Sequence, residues 1–469
     1  MCAKVVNNAL LQPLVDENQV KLKEKKKSSA AQEGREGGRQ GAQFNPFSEK
    51  LTDAEREEKV FTDRSDESLL TSRTTPTRGG VDASSCYGKL QDVYRSIKGR
   101  CEFASLIFLL GLPCSIASPI MKSIYGVRES EEGVRLETQT QIFLHLLQLS
   151  KTIKLKGFGM TNILEMNLQK GRKIFEKTLS QPQNKHVRVE NVLMASDGNA
   201  SSTHHHVPAR IYTPKALVST DVPLPVLVFY HGGGWVIGNR NTVNGFLSWI
   251  SHWSKCVVVS VEYRLAPENP FPAAVEDALN SFQWVARHAA QRGWDPRKIA
   301  VGGDSAGGNL AAVVSQLAVV RQFEVRPSLQ VLLFPALYLG NKETAFKSVD
   351  EFGSDSFYGL HWKDMLFFRN AYIGAQHDGL DHRTSPVLAE DYLLRELPPA
   401  YFGLCHFDVL RDEGREYANR LRENGVSVHV DEFDAHHGFI YVFHRVKYAK
   451  RCLKDIAIFL RNQMYPSKL

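Results

Sequence analysis

From about residue 186 to residue 465, the sequence alternates between short apolar runs and longer segments with helical periodicity. The runs PVLVFY at 225–230 and CVVVSV at 256–261 hold almost no polar side chains, which is typical of central parallel strands buried on both faces. The predicted strands cover 187–193, 207–212, 225–230, 256–261, 298–301, 329–334, 400–404 and 426–430, and the predicted helices cover 273–288, 306–320, 412–423 and 440–459. This order predicts an α/β fold, a mostly parallel sheet with helices on both faces, over residues 186–465.

Residues 1–95 are expected to form a disordered polar tail. Segments such as AQEGREGGRQG at 31–41 show neither a helical nor a strand period of apolar residues. Such a segment cannot bury enough apolar surface to offset the entropy that is lost when a chain becomes ordered.

Residues 96–185 are expected to form a helical cap over the sheet, because Glu137–Leu179 is largely helical in its apolar pattern. Within this region, Phe103–Met121 holds no charged residue and is a candidate for membrane association. Pro113 and Pro119 would break a helix there, so a buried or interfacial helix pair is the alternative. A cytoplasmic location and an association with the endoplasmic reticulum membrane both stay open.

Charge and cysteine content exclude several classes of protein. The chain has 58 basic and 51 acidic residues, and its net charge of +7 gives no case for nucleic-acid binding. Its seven cysteines form no C-x-x-C pair, which argues against a zinc ribbon or a disulfide scaffold. The histidine run 204–206 lacks carboxylate or cysteine neighbours, so no metal site is expected. The sequence does not fix the oligomeric state.

The pentapeptide GDSAG at 303–307 has the G-x-S-x-G pattern of a nucleophile elbow. It lies between the predicted strand 298–301 and the predicted helix 306–320. A sharp turn at this place strains the backbone of Ser305 and exposes its hydroxyl, and a side chain on either flanking glycine would clash with the neighbouring elements. The helix N-terminus also directs free N–H groups towards the reacting oxygen. Ser305 is therefore the candidate nucleophile.

The segment HGGGW at 231–235 follows the predicted strand 225–230. Three successive glycines leave backbone N–H groups that can approach a ligand closely. An oxyanion hole requires such donors about 3 Å from the developing negative charge. This loop is therefore the candidate oxyanion hole.

A serine nucleophile needs a base, and the base needs an acid to fix its tautomer. Asp408 lies just past the predicted strand 400–404 and is preferred as the acid over Asp412, which lies where acidic residues often open a helix. The base is one of the two histidines at 436 and 437, which periodicity alone does not separate. The other histidine is expected to be a surface or helix-capping residue.

Five motifs together resemble the hormone-sensitive-lipase family of α/β hydrolases, and within it the arylacetamide-deacetylase-like branch. They are HGGGW at 231–235, YRLAPE at 263–268 with FPAA at 271–274, GGDSAGGNLA at 302–311, DVLRDEG at 408–414 and HGF at 437–439. The resemblance covers about residues 190–462. It implies an α/β-hydrolase fold with an N-terminal helical cap. The long polar tail departs from the short N-terminal anchor of the deacetylase branch.

The resemblance also implies roles for individual residues. Ser305 is the nucleophile, His437 is the base and Asp408 is the acid. The N–H groups of Gly233, Gly234 and Ala306 form the oxyanion hole.

These observations predict a serine carboxylic-ester hydrolase that forms an acyl-enzyme and needs no cofactor. Its expected substrates are hydrophobic esters or acetylated arylamides, which are small molecules suited to an apolar pocket lined by some of the aromatic residues in 346–372. Two alternatives are a lipase acting at lipid surfaces and a non-catalytic ligand receptor built on the same fold. Retention of His437 argues against the receptor.

Overall fold

The computed structural model describes residues 127–144, 167–195, 206–218, 222–340, 346–354 and 356–465. The predicted tail 1–95 and the candidate segment 103–121 lie outside these residues. Among the described residues, no helix combines the length and the apolar character that crossing a bilayer requires.

Eight strands form one sheet in the order β1-β2-β4-β3-β5-β6-β7-β8. Strand β2 is antiparallel to both β1 and β4, and the pairs from β4 through β8 are parallel. The strands are β1 (Val187–Ala195), β2 (His206–Pro214), β3 (Leu224–Tyr230), β4 (Val257–Val261), β5 (Trp294–Asp304), β6 (Gln330–Leu333), β7 (Ala400–Phe407) and β8 (Val428–His436). The predicted mostly parallel α/β sheet is confirmed.

The described helices connect these strands or cover the sheet. They are α1 (Leu168–Leu179), α2 (Asn244–Ser254), α3 (Ala273–His288), α4 (Ala306–Val320), α5 (Lys347–Phe352), α6 (Trp362–Ile373), α7 (Asp391–Leu394), α8 (Arg411–Glu423) and α9 (Lys447–Met464). Residues 138–144 are also helical, and with α1 they are the described part of the predicted helical segment 137–179.

Central strand β3 shows why the sheet carries helices on both faces. All seven of its residues are buried. Because successive side chains point to opposite faces of a sheet, Val226, Val228 and Tyr230 join the core formed with α3 and α4. Leu227 and Phe229 join a second core, formed with α2 and α9. An apolar run without alternation therefore belongs inside a three-layer structure.

The C-terminal elements differ from the sequence prediction in their bounds. Strand β8 extends to His436, well beyond the predicted end at 430, and its exposure alternates only weakly because it forms the edge of the sheet. The predicted helix 440–459 is instead a 3₁₀ turn at Phe439–Val442 followed by α9 from Lys447. The prediction also missed α2, α5, α6 and α7.

The carboxyl ends of four strands come together along one edge of the sheet. His231 follows the end of β3, and Ser305 follows the end of β5. Asp408 directly follows β7, and His437 directly follows β8. In open parallel sheets ligands bind at this edge, so the topology alone places the candidate residues in one region.

Candidate active site

Ser305 occupies a strained turn between β5 and α4, with φ 55° and ψ −121°. A non-glycine residue with positive φ is uncommon and is held there by its surroundings. The two flanking glycines explain how the turn fits. A Cβ on Gly303 would lie 2.2 Å from the carbonyl of Gly307, and a Cβ on Gly307 would lie 1.9 Å from the carbonyl oxygen of Tyr230. The turn therefore presents the serine hydroxyl as the sequence motif predicts.

His437 lies between Ser305 and Asp408. Its Nδ1 is 2.7 Å from Asp408 Oδ2, and its Nε2 is 3.0 Å from Ser305 Oγ. A carboxylate can only accept hydrogen bonds, so Nδ1 carries the ring proton and donates a hydrogen bond to Asp408. Nε2 is then left as the acceptor for the serine hydroxyl. The structure thus brings the three predicted residues within hydrogen-bonding reach of one another.

Asp408 is almost fully buried, with 1% of its surface exposed. Its second oxygen, Oδ1, accepts a hydrogen bond of 3.0 Å from the backbone N–H of Leu410. The alternative acid, Asp412, instead accepts from Arg411 Nε at 2.7 Å and from the N–H of Ser348 at 2.9 Å. The geometry therefore favours Asp408 as the partner of the histidine.

His436 is 6% exposed, so the expectation of a surface or helix-capping residue is wrong. Its Nδ1 donates to the backbone oxygen of His437 at 2.7 Å. Burial lowers the pKa of His436 to about 4, which keeps its ring neutral near pH 7. Among the described residues, the hydrogen bonds of His436 do not include Ser305 or Asp408.

The glycine loop after β3 approaches the elbow with its backbone. Gly233 has φ 120° and Gly234 has φ 59°, which is backbone that L side chains rarely adopt. A Cβ on Gly234 would lie 2.1 Å from the ring of Phe368. Among the hydrogen bonds of the described residues, neither Gly233 nor Gly234 donates its N–H to a backbone acceptor. Ala306, the first residue of α4, has no helical acceptor for its N–H because of its position.

Asp304 connects the elbow to two other parts of the site. Its Oδ1 accepts from the N–H of Gly232 at 2.9 Å, and its Oδ2 accepts from the hydroxyl of Tyr441 at 2.7 Å. Burial raises the pKa of Asp304 to about 6, against the opposing effect of both hydrogen bonds. The G-x-S-x-G pattern does not predict these contacts of its second residue, and no local pattern predicts the contact of Tyr441.

His231 and Tyr263 contact each other at the start of the glycine loop. The two rings stack at 4.4 Å, and the Tyr263 hydroxyl donates to the backbone oxygen of His231 at 2.6 Å. Burial lowers the pKa of His231 to about 4, so it is a neutral ring near pH 7. Its Nδ1 donates to the oxygen of Gly232 at 2.8 Å. These contacts fix the start of the loop.

Aromatic side chains flank the reactive groups. The ring of Phe334 meets that of His437 edge-on, with centroids 5.0 Å apart. Phe368 of α6 packs on Gly234, and Trp235 stacks on Tyr372 at 4.5 Å. Aromatic rings therefore border both the ring of His437 and the glycine loop.

Among the described residues, one group of side chains has the composition of a metal site: Glu132, His406 and Glu432. Arg415 donates to Glu132 at 2.7 Å and to Glu432 at 3.0 Å. His406 Nδ1 also donates to Glu432 at 2.7 Å. These donors neutralise both carboxylates, so the group is explained as an ion-pair network. Of the histidine run 204–206, only His206 belongs to the described residues.

The chain matches known proteins across this region. A family model described as the alpha/beta hydrolase fold matches residues 227–441. Carboxylic ester hydrolase LipN of Mycobacterium tuberculosis is 41% identical over 243 residues, which is 50% of this chain and 62% of LipN. Arylacetamide deacetylase of Bos taurus is 31% identical over 323 residues, covering 56% of this chain and 80% of the deacetylase.

A solved structure shows the same architecture. It is the hyperthermophilic esterase from the archaeon Pyrobaculum calidifontis, with a TM-score of 0.61 and 33% sequence identity. The match covers 70% of this chain and 98% of that esterase. The family match at residues 227–441 contains all the candidate residues from His231 to His437.

Proposed function

The chain belongs to the α/β hydrolase family that includes arylacetamide deacetylase and the ester hydrolases it matches, and from this premise we propose that it is a serine carboxylic-ester hydrolase. Ser305 is its nucleophile, His437 its general base and Asp408 the acid that orients the base. One observation carries the proposal, namely the continuous hydrogen-bonded chain from Ser305 Oγ through the His437 ring to Asp408.

The reaction has two halves. His437 Nε2 takes the hydroxyl proton as Ser305 Oγ bonds to the ester carbonyl carbon, and the N–H groups of Gly233, Gly234 and Ala306 receive the negative oxygen. His437 then returns the proton to the leaving alcohol as the C–O bond breaks, which leaves an acyl-enzyme. Water then attacks this ester as His437 takes its proton. His437 passes that proton to Ser305 Oγ as the acyl C–O bond breaks, which releases the acid and the free serine.

Hydrophobic esters are the proposed substrates, with acetylated arylamides as a second class. The support for an apolar acyl group or leaving group is the aromatic surroundings of Phe334 and Phe368. The name of the bovine relative, arylacetamide deacetylase, supports a test of amides as well as esters.

The test is hydrolysis of p-nitrophenyl esters of increasing acyl length by the full chain and by Ser305→Ala. The substitution removes the attacking oxygen without adding bulk, so we expect kcat to fall by about 10⁴-fold or more. Unchanged turnover in Ser305→Ala would refute the proposal.

The same ester series, run above and below the concentration at which the substrate forms micelles, separates the two enzymatic candidates. An esterase shows saturation below that concentration, and a lipase gains rate above it. A ligand receptor would hydrolyse none of the esters.

A further inference from the structure

Arg172 of helix α1 reaches the backbone of the glycine loop. Its Nε donates to the oxygen of Val236 at 2.8 Å, and its Nη2 donates to the oxygen of Ala266 at 2.8 Å. The N–H of Ala266 donates in turn to the oxygen of Trp235 at 2.9 Å. One guanidinium therefore joins the residues that directly follow the glycines to the neighbouring loop 263–268.

Glu268 fixes the orientation of this guanidinium. Its two oxygens accept from Arg172 Nη1 and Nη2, each at 2.8 Å. The pair is partly shielded, with 17% of the Arg172 side chain and 46% of the Glu268 side chain exposed. Hydrogen bonding from Arg172 lowers the pKa of Glu268, so the carboxylate is charged near neutral pH. A lysine could not make four such bonds at once, because only arginine has the planar, five-donor head group.

The same helix makes a second contact further along the loop. Glu176 accepts from the side-chain amides of Asn239 at 3.0 Å and Asn241 at 2.7 Å. Helix α1 thus contacts both ends of the segment 236–241. Inside the loop, the N–H groups of Val236 and Ile237 both donate to the oxygen of Gly233. A displacement of Val236 would therefore be passed directly to the peptide groups of the glycines.

We propose that Arg172 is a positioning residue for the oxyanion hole, acting from the cap helix through Val236 and Trp235 on the N–H groups of Gly233 and Gly234. The inference rests on the proposed function. Under this inference, stabilisation of the transition state depends on the position of α1. The arginine acts indirectly, because its described hydrogen bonds are to Val236, Ala266 and Glu268 and not to Ser305. An interaction felt only in the transition state changes kcat more than KM.

The test compares Arg172→Lys, Glu268→Gln and the control Lys173→Met in the full chain. Lys173 is the exposed neighbour of Arg172 on the same helix. With p-nitrophenyl butyrate, and with active sites counted by fluorophosphonate titration, we expect Arg172→Lys to lower kcat by about ten-fold or more with KM nearly constant. Glu268→Gln, which keeps the two carbonyl contacts, should lower kcat by a smaller factor. Lys173→Met should match the wild type.

A second readout reports the oxyanion hole itself. An alkyl trifluoromethyl ketone binds a serine hydrolase as a tetrahedral adduct with a negative oxygen. The matching methyl ketone has a much weaker tendency to form this adduct. The affinity of Arg172→Lys for the trifluoromethyl ketone should fall by the same factor as kcat, with affinity for the methyl ketone unchanged. A purely structural role of Arg172 would instead reduce the active fraction or raise KM, leaving kcat per active site and the ketone affinity as in the wild type.

Three results would overturn the inference: wild-type kcat in Arg172→Lys, a loss confined to KM, or unchanged trifluoromethyl ketone affinity. If Arg172→Lys does not fold, Glu268→Gln decides, and a wild-type kcat there overturns it. Ser305→Ala separates this outcome from failure of the proposed function. If the wild type is active and Ser305→Ala is not, the proposed function stands, and the Arg172→Lys result then tests the positioning role alone. An inactive wild type overturns both.

Discussion

The hydroxyl of Tyr441 donates a hydrogen bond of 2.7 Å to Asp304, across 137 residues of sequence. Asp304 precedes the candidate nucleophile, and Tyr441 lies in the turn that follows His437. The other oxygen of Asp304 accepts from Gly232 in the glycine loop. One buried carboxylate therefore connects the turn at Ser305, the glycine loop and the turn that follows His437. The relative positions of these three segments depend on it.

Removal of the Tyr441 hydroxyl should weaken this junction. Tyr441→Phe leaves Asp304 Oδ2 without its donor, and an unpaired buried acceptor costs about 1–3 kcal/mol. Because that hydrogen bond stabilises the charged carboxylate, its loss raises the pKa of Asp304 further. Urea unfolding of both proteins at pH 7.5 and at about pH 5 measures the effect. The destabilisation should be larger at pH 7.5, and an equal loss at both values would contradict this reading.

The pKa of Asp304 also predicts how stability changes with pH. Folding raises this pKa from 3.8 to about 6, so the folded protein holds the proton more tightly than the unfolded chain. The contribution to stability is fully present below pH 3.8 and is lost as the pH rises to about 6, by roughly 3 kcal/mol. Asp304→Asn does not titrate. The free energy of unfolding of the wild type minus that of the variant should therefore decrease between pH 4 and pH 6.5. A difference that stays flat or increases would show that the pKa is not raised.

Gly307 tests the packing of the elbow. A Cβ at this position would lie 1.9 Å from the oxygen of Tyr230, which is backbone in the centre of the sheet and cannot yield cheaply. We expect Gly307→Ala to destabilise the protein by about 3 kcal/mol or more, or to prevent folding. Gly425→Ala is the matched control, because nothing lies within 4 Å of its Cβ and only its φ of +83° is unfavourable. It should cost about 1 kcal/mol. Thermal unfolding ranks the two, and equal losses would argue against the close approach.

The adjacent histidines should differ sharply in their effects. His437→Gln removes the basic imidazole nitrogen that takes the Ser305 proton, and we expect a loss in kcat of about 10³-fold or more, with little change in melting temperature. His436→Gln removes a buried ring whose Nδ1 donates a hydrogen bond to the backbone oxygen of His437. The melting temperature should therefore fall, and kcat should change by about ten-fold at most. Ester hydrolysis and calorimetry on both variants make the comparison. A larger loss of kcat in His436→Gln would reverse the assignment.

The sequence predicted the residues whose chemistry is tied to a local turn. Ser305 and the glycine loop follow apolar runs that form central strands, so the ends of those strands could be located and the site edge with them. The preference for Asp408 over Asp412 had the same basis, since β7 is apolar and ends at Phe407.

Residues at the sheet edge and in distant contacts could not be predicted in this way. Strand β8 continues through the polar stretch 431–436, so its end, and with it the choice between His436 and His437, was not visible in the apolar pattern. Tyr441 and Arg172 act through contacts that only the folded chain creates, with partners 137 and 64 residues away along the sequence. No periodicity encodes such pairings.

The central claim is that Ser305 is a nucleophile activated by His437, and covalent labelling tests it most directly. A fluorophosphonate phosphonylates only a serine whose proton has an acceptor, and peptide mass spectrometry locates the adduct. In the wild-type chain we predict a single adduct on the peptide that carries Ser305, and in folded His437→Gln we predict none at the same reagent concentration and time. Labelling at another serine, or equal labelling of Ser305 in the two proteins, would contradict the account.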